Sequence, residues 1–149
     1  MNRIWKPLSV SLTVSLACLP WLLASAARAQ PKVYAPIPLT AGQEIRDRLS
    51  EFDIPTGQGN FARDYVLSLQ AGDQVVIDLA ADSFDPIVVL MTKEGATIGE
   101  NDDGPDGTAN SLLFMRITKS GTYIVRVKAF GETAGGTFRL KLDRLRPVQ

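Results

Sequence analysis

The chain has 149 residues, with 16 basic and 16 acidic side chains, one cysteine and no histidine. Without histidine the commonest general base and the commonest transition-metal ligand are missing, which excludes a Ser-His-Asp triad and a His-based zinc site. The formal net charge is zero, and no basic run or stripe points to nucleic acid.

Residues 1–29 read as a secretory signal. Arg3 and Lys6 give a positive start, an apolar stretch follows from Leu8 to Ala24, and Ala27-Arg28-Ala29 fits the small-x-small cleavage pattern. A membrane anchor needs roughly 20 mostly apolar residues; Pro20 and the Ala-x-Ala ending favour cleavage after Ala29 instead. Lipidation at Cys18 is disfavoured, because the apolar run continues through Trp21, Leu22 and Leu23. Cleavage leaves 149 − 29 = 120 residues and no membrane span. It removes Arg3, Lys6 and Arg28, so 13 basic residues face 16 acidic ones and the net charge becomes −3. The only cysteine and both tryptophans, Trp5 and Trp21, leave as well. One domain in the periplasm or outside the cell is expected.

Residues 30–40 read as an extended lead-in, because Pro31, Pro36 and Pro38 oppose a helix. A domain over 41–144 follows, then a short tail over 145–149. Period-two segments fill the domain. A weak strand is expected from Gln43 to Ser50. Phe61 to Leu69 turns Tyr65, Leu67 and Leu69 to one face. Gln74 to Ala80 turns Val75, Ile77 and Leu79 inward. Pro86 to Thr92 is nearly continuous and apolar, as in a strand buried on both sides. A short strand, Thr97 to Gly99, leads into an acidic loop. Ser111 to Ile117 resumes the alternation, and Thr122 to Ala129 and Thr137 to Asp143 complete it. About eight strands with short turns and no helix predict an all-β, antiparallel, jelly-roll-like sandwich.

Three segments carry a resemblance. They are Asp64 to Gly72 with the strand after it, Phe84 to Gly95 with the Asn101-Asp102-Asp103-Gly104 loop, and Ser120 to Val127 with Gly136 to Leu140. In this order and spacing they resemble the bacterial pre-peptidase C-terminal domain, over about Leu39 to Leu142. The resemblance implies a β-sandwich of the kind appended to secreted proteases, generally not catalytic, and similar to collagen-binding domains of which some bind calcium. No protease accompanies it in these residues, which shifts the expected role from serving an attached enzyme to binding.

The loop from Glu100 to Asn110 is the most pointed segment chemically. Calcium takes six to eight oxygens from carboxylates, amides and carbonyls. Asn101, Asp102, Asp103 and Asp106, with Asp82 and Asp85 from a neighbouring loop, are the candidate calcium ligands. An ordinary solvated turn explains the same composition, and Pro105 breaks the EF-hand spacing. Asp85 has its own plain reading as a cap before Pro86. On the expected outward faces stand Arg46, Arg48, Arg126, Lys128, Arg139 and Lys141. If the last two strands pair, the last four of these form one basic patch. Tyr34, Phe52 and Phe130 fall in loops, as lids over the core ends or as ligand contacts.

Three functions are compatible with this reading. The first is an exported non-catalytic module that binds a protein or polysaccharide. The second is an accessory domain assisting a separately encoded exported protease. The third is a small carboxylate-based hydrolase, for which the chain after cleavage lacks the tryptophan platforms common in sugar clefts.

Overall fold

The computed structural model describes residues 34–131 and 135–145; the expected signal segment lies outside them. Ten strands run in chain order: β1 Ile37–Pro38, β2 Glu44–Arg48, β3 Ile54–Pro55, β4 Phe61–Leu69, β5 Gln74–Ala81, β6 Pro86–Thr92, β7 Thr97–Asn101, β8 Ser111–Arg116, β9 Gly121–Ala129 and β10 Thr137–Leu145. They form two sheets. A six-stranded sheet has the order β1-β4-β9-β6-β7 with β3 also on β4, and a four-stranded sheet has the order β2-β10-β5-β8. All pairings are antiparallel except β1 on β4.

The alternation explains the sandwich. Successive side chains on a strand face opposite ways. The inward set includes Tyr65, Leu67 and Leu69 on β4, Val75, Ile77 and Leu79 on β5, and Val88 and Leu90 on β6. Tyr123, Val125 and Val127 on β9 and Phe138, Leu140 and Leu142 on β10 complete it, in one buried cluster between the sheets. Phe138 stands edge-on to both Tyr65 and Phe84, with ring centroids 6.3 and 6.4 Å away. β6 is buried on both sides, as its unbroken apolar sequence requires. Its outward Ile87, Val89 and Met91 join Ile124 of β9 in a second buried cluster. Tight turns reverse the chain at Gly72 (φ 94°) and Gly95 (φ 92°), where a side chain would strain the backbone.

The eight expected strands all form. β1 and β3, of two residues each, were not expected. β1 comes from the lead-in, so that segment adds to a sheet instead of only approaching it. The last two strands, whose pairing was the condition for one basic patch, do not pair. β9 lies in the six-stranded sheet and β10 in the four-stranded one, so Arg126 and Lys128 are separated from Arg139 and Lys141.

Two ion-pair networks tie the scaffold. At one end of the sandwich Arg63 of β4 reaches Asp47 of β2 and donates to Asp53 at 2.8 Å. Tyr65 Oη donates to the same Asp47 at 2.8 Å, so β2 is fastened across to the other sheet. Burial pushes the Asp47 carboxyl up, but the Arg63 guanidinium, the Arg48 N–H and the Tyr65 hydroxyl together hold it below its ordinary value. On the outer side of the six-stranded sheet Arg126 grips Asp64 in a fork of 2.7 and 2.8 Å. Asp64 is only 3% exposed. Tyr34 Oη donates to it at 2.5 Å, and burial followed by that bond pushes the Tyr34 phenol up to about 12.

Candidate functional site

The acidic loop joins β7 to β8 and is built by its own side chains. Asn101 Nδ2 donates to the carbonyls of Asp103 and Leu112, both at 2.7 Å, and pins the loop to β8. Asn101 Oδ1 accepts the Asp102 N–H at 3.0 Å. Asp106 Oδ1 accepts from the N–H and the hydroxyl of Thr108, at 3.1 and 2.7 Å, and these bonds hold its carboxyl below its ordinary value. Asn110 Oδ1 accepts from the Ala81 N–H at 3.2 Å and anchors the far end to β5. A Cβ on Gly104 would stand 2.8 Å from both the Asn110 carbonyl and Asp106 Oδ1, so the close approach there requires glycine.

The six expected calcium ligands therefore divide. Asn101 and Asp106 shape the loop. Asp82 lines a groove on the four-stranded sheet. Asp85, Asp102 and Asp103 remain as an interacting set. Burial, then Asp103 and Asp102, raise the Asp85 carboxyl above its ordinary value. Asp85 Oδ1 is buried with no hydrogen-bond partner among the described residues, and the backbone carbonyl of Asp85 accepts from the Phe130 N–H at 2.8 Å. Among the described residues no three acidic side chains are gathered into a metal cradle. The six donors do not fit one ion as they stand.

The outer face of the four-stranded sheet holds two grooves. One, of about 340 Å³, lies where Gly104, Pro105 and Asp106 overhang Asp78, Arg139 and Lys141. The other, of about 570 Å³, is lined by Arg46, Arg48, Ala80, Asp82, Thr137 and Arg139, among others. The register sets these residues side by side: Arg48 opposite Thr137, Arg46 opposite Arg139, and Arg139 opposite Ala80 on its other flank. Arg46, Arg48, Arg139 and Lys141 are outward as expected, but Arg139 and Lys141 do not share a patch with Arg126 and Lys128, because that required the last two strands to pair. The period-two pattern gives the facing of a residue and says nothing about which sheet holds its strand.

The loop aromatics are not lids. Phe52 is 79% exposed, and Tyr34 and Phe130 are more than half exposed. The hydroxyl of Tyr34 serves the Asp64–Arg126 pair.

No family model matches the sequence, and no curated protein does. Solved structures do. The pre-peptidase C-terminal domain of a collagenase from Bacillus anthracis superposes with a TM-score of 0.57 at 11% identity, over 76% of this chain and all (100%) of that one. The fold is similar to that of a pre-peptidase C-terminal domain. A periplasmic inhibitor of g-type lysozyme from Aeromonas hydrophila superposes with a TM-score of 0.56 at 15% identity, over 74% of this chain and 96% of that one. The pre-peptidase C-terminal sandwich expected from the three sequence segments is thus the architecture found. At these identities the likeness is one of fold.

Proposed function

We propose that this chain is an exported, non-catalytic accessory module that binds a protein or glycan in the cell envelope or outside the cell. The observation that carries this reading is where the perturbed carboxylates lie. A general acid working near neutral pH needs a raised carboxyl placed in a cleft. Asp85 is raised, but it lines neither groove. Asp106 lines one groove and is lowered. The grooves instead offer charged side chains of both signs on a paired sheet, Glu44, Asp78, Asp106, Arg139 and Lys141 in one and Arg46, Arg48, Arg139, Asp47 and Asp82 in the other, which suits recognition. The two structural relatives are described as a domain of a collagenase and as an inhibitor of a lysozyme, and the second description supports a partner that is itself a protein. Assistance to a separately encoded exported protease is one form of this role.

Immobilised protein exposed to envelope extract tests it. Specific recovery of one partner, saturable and competed by free protein, is expected. Recovery of nothing above background contradicts the reading. Hydrolysis of a glycan or peptide substrate that disappears in Asp103→Asn/Asp106→Asn would replace it with the hydrolase reading.

The orphaned Asp85 oxygen favours a second reading, in which calcium stabilises the loop by drawing Asp85, Asp102 and Asp103, which are not gathered into a cradle as they stand, around one ion. A cation would relieve their mutual repulsion. A ligand that binds only the folded state raises its stability by about 2.7 kcal/mol at a hundredfold excess over Kd. Thermal melts with calcium and with chelator should then differ by several degrees, and the difference should vanish in Asp103→Asn. Identical melts at millimolar calcium reject the reading.

A further inference from the structure

The larger groove carries a charge arrangement that folding alone does not favour. Arg46 and Arg139 stand directly opposite each other on neighbouring strands, and like charges so placed destabilise a sheet. Arg46 has an exposed partner, Glu44, at 3.2 Å. The guanidinium groups of Arg48 and Arg139 make no hydrogen bond or ion pair with any described residue. Ala80 beside Arg139 keeps the groove floor low. The groove's acidic residues are Asp82 and Asp47, of which Asp47 is already engaged by Arg63 and Tyr65, so three arginines here outnumber the carboxylates in a chain whose expected net charge after cleavage is −3.

A guanidinium presents a planar fork that matches a carboxylate bidentately. Arg46 and Arg48 are two residues apart on the outermost strand of the sheet, a spacing of about 6–7 Å. An extended peptide repeats its side chains on one face at the same interval. The groove's one aromatic, Phe138, is buried in the core, so a sugar ring finds no stacking surface there. We propose that this groove binds an extended acidic segment of a partner protein, whose carboxylates at alternate positions dock on Arg46, Arg48 and Arg139. The proposal rests on the binding-module reading and gives it a surface and a partner chemistry.

The test is titration of the purified protein with a synthetic peptide of alternating glutamate and threonine at low salt. Binding is expected to weaken at least about tenfold in Arg48→Ala/Arg139→Ala. It should change less than about twofold in Arg116→Ala, an exposed cation near the other end of the same sheet face. The glutamine version of the peptide should not bind. Unchanged melting of the double variant rules out unfolding as the cause. Three outcomes overturn the proposal: no binding by the wild type, equal weakening in Arg116→Ala, or binding of polygalacturonate in place of the peptide. An envelope partner captured equally by the wild type and the double variant would overturn the groove while leaving the binding-module reading intact.

Discussion

The two outer faces of the sandwich treat charge in opposite ways. On the six-stranded sheet the cations are engaged: Arg126 with Asp64 at 2.7 Å, and Lys128 with Glu100 at 2.9 Å. The buried Ile87 and Val89 of β6 stand opposite Lys128 and Arg126 on the same face. On the four-stranded sheet Arg46 faces Arg139, and two guanidinium groups have no partner among the described residues. The Asp64–Arg126 pair of the first face is part of the scaffold, because a buried carboxylate left alone is costly. On the second face Arg46 and Lys141 make ion pairs only with exposed carboxylates of their own strands among the described residues, and Arg48 and Arg139 are exposed, which leaves these guanidinium groups accessible to a ligand.

Mutation can break this contrast, and the largest effect is expected at Arg126. Arg126→Ala leaves Asp64 buried without its guanidinium and should cost about 3 kcal/mol in urea unfolding. Replacing both residues with leucine should recover much of that loss. A neutral Arg126→Ala would mean that the fork does not hold the sheet.

Next comes the clamp between the sheets. Asp47→Ala leaves Arg63 with Asp53 alone and the Tyr65 hydroxyl without its acceptor, and should cost about 2 kcal/mol. Because the folded Asp47 carboxyl is held low, its contribution is present above the ordinary carboxylate range and is lost as pH falls through its folded value. Asp85 has the opposite sign. Its raised carboxyl favours the fold below the ordinary range, and that contribution is lost as pH rises through the folded value. Unfolding followed across the acid range should therefore show a shallower loss of stability in Asp47→Asn. It should also show higher stability than wild type at neutral pH in Asp85→Asn.

The smallest effects belong to exposed ions. Lys128→Ala should cost about 0.5 kcal/mol or less. Arg139→Ala should lie within about 0.5 kcal/mol of wild type, on the stabilising side, since it removes a like-charge neighbour. A clear loss of stability in Arg139→Ala would erase the contrast between the faces.

The strands were legible in the sequence because each inward residue is apolar at strict period two, as in Tyr65-x-Leu67-x-Leu69. Pro86 to Thr92 was legible as doubly buried because its alternation is missing. The two-residue strands β1 and β3 were not legible, since a Pro-flanked dipeptide pairs only when tertiary neighbours bring an edge to it. The division of strands between sheets was also hidden. β9 and β10 are consecutive and similar in pattern, yet the chain crosses from one sheet to the other between them. At the acidic loop, composition marked the segment, but only the fold assigned roles. Asn101 and Asp106 bond their own loop, and Asp85 is left with the unpartnered oxygen. The arginine groove needed the register of β2 on β10, which no local pattern encodes.

The central claim is that recognition belongs to the four-stranded sheet. Amide NMR of the labelled protein during titration with the alternating glutamate peptide tests it most directly. The predicted result is a footprint on Arg46, Arg48, Thr137, Arg139 and Ala80, with the amides of Asp64, Val89 and Arg126 unmoved. A footprint centred on β4, β9 and β6 would contradict the account.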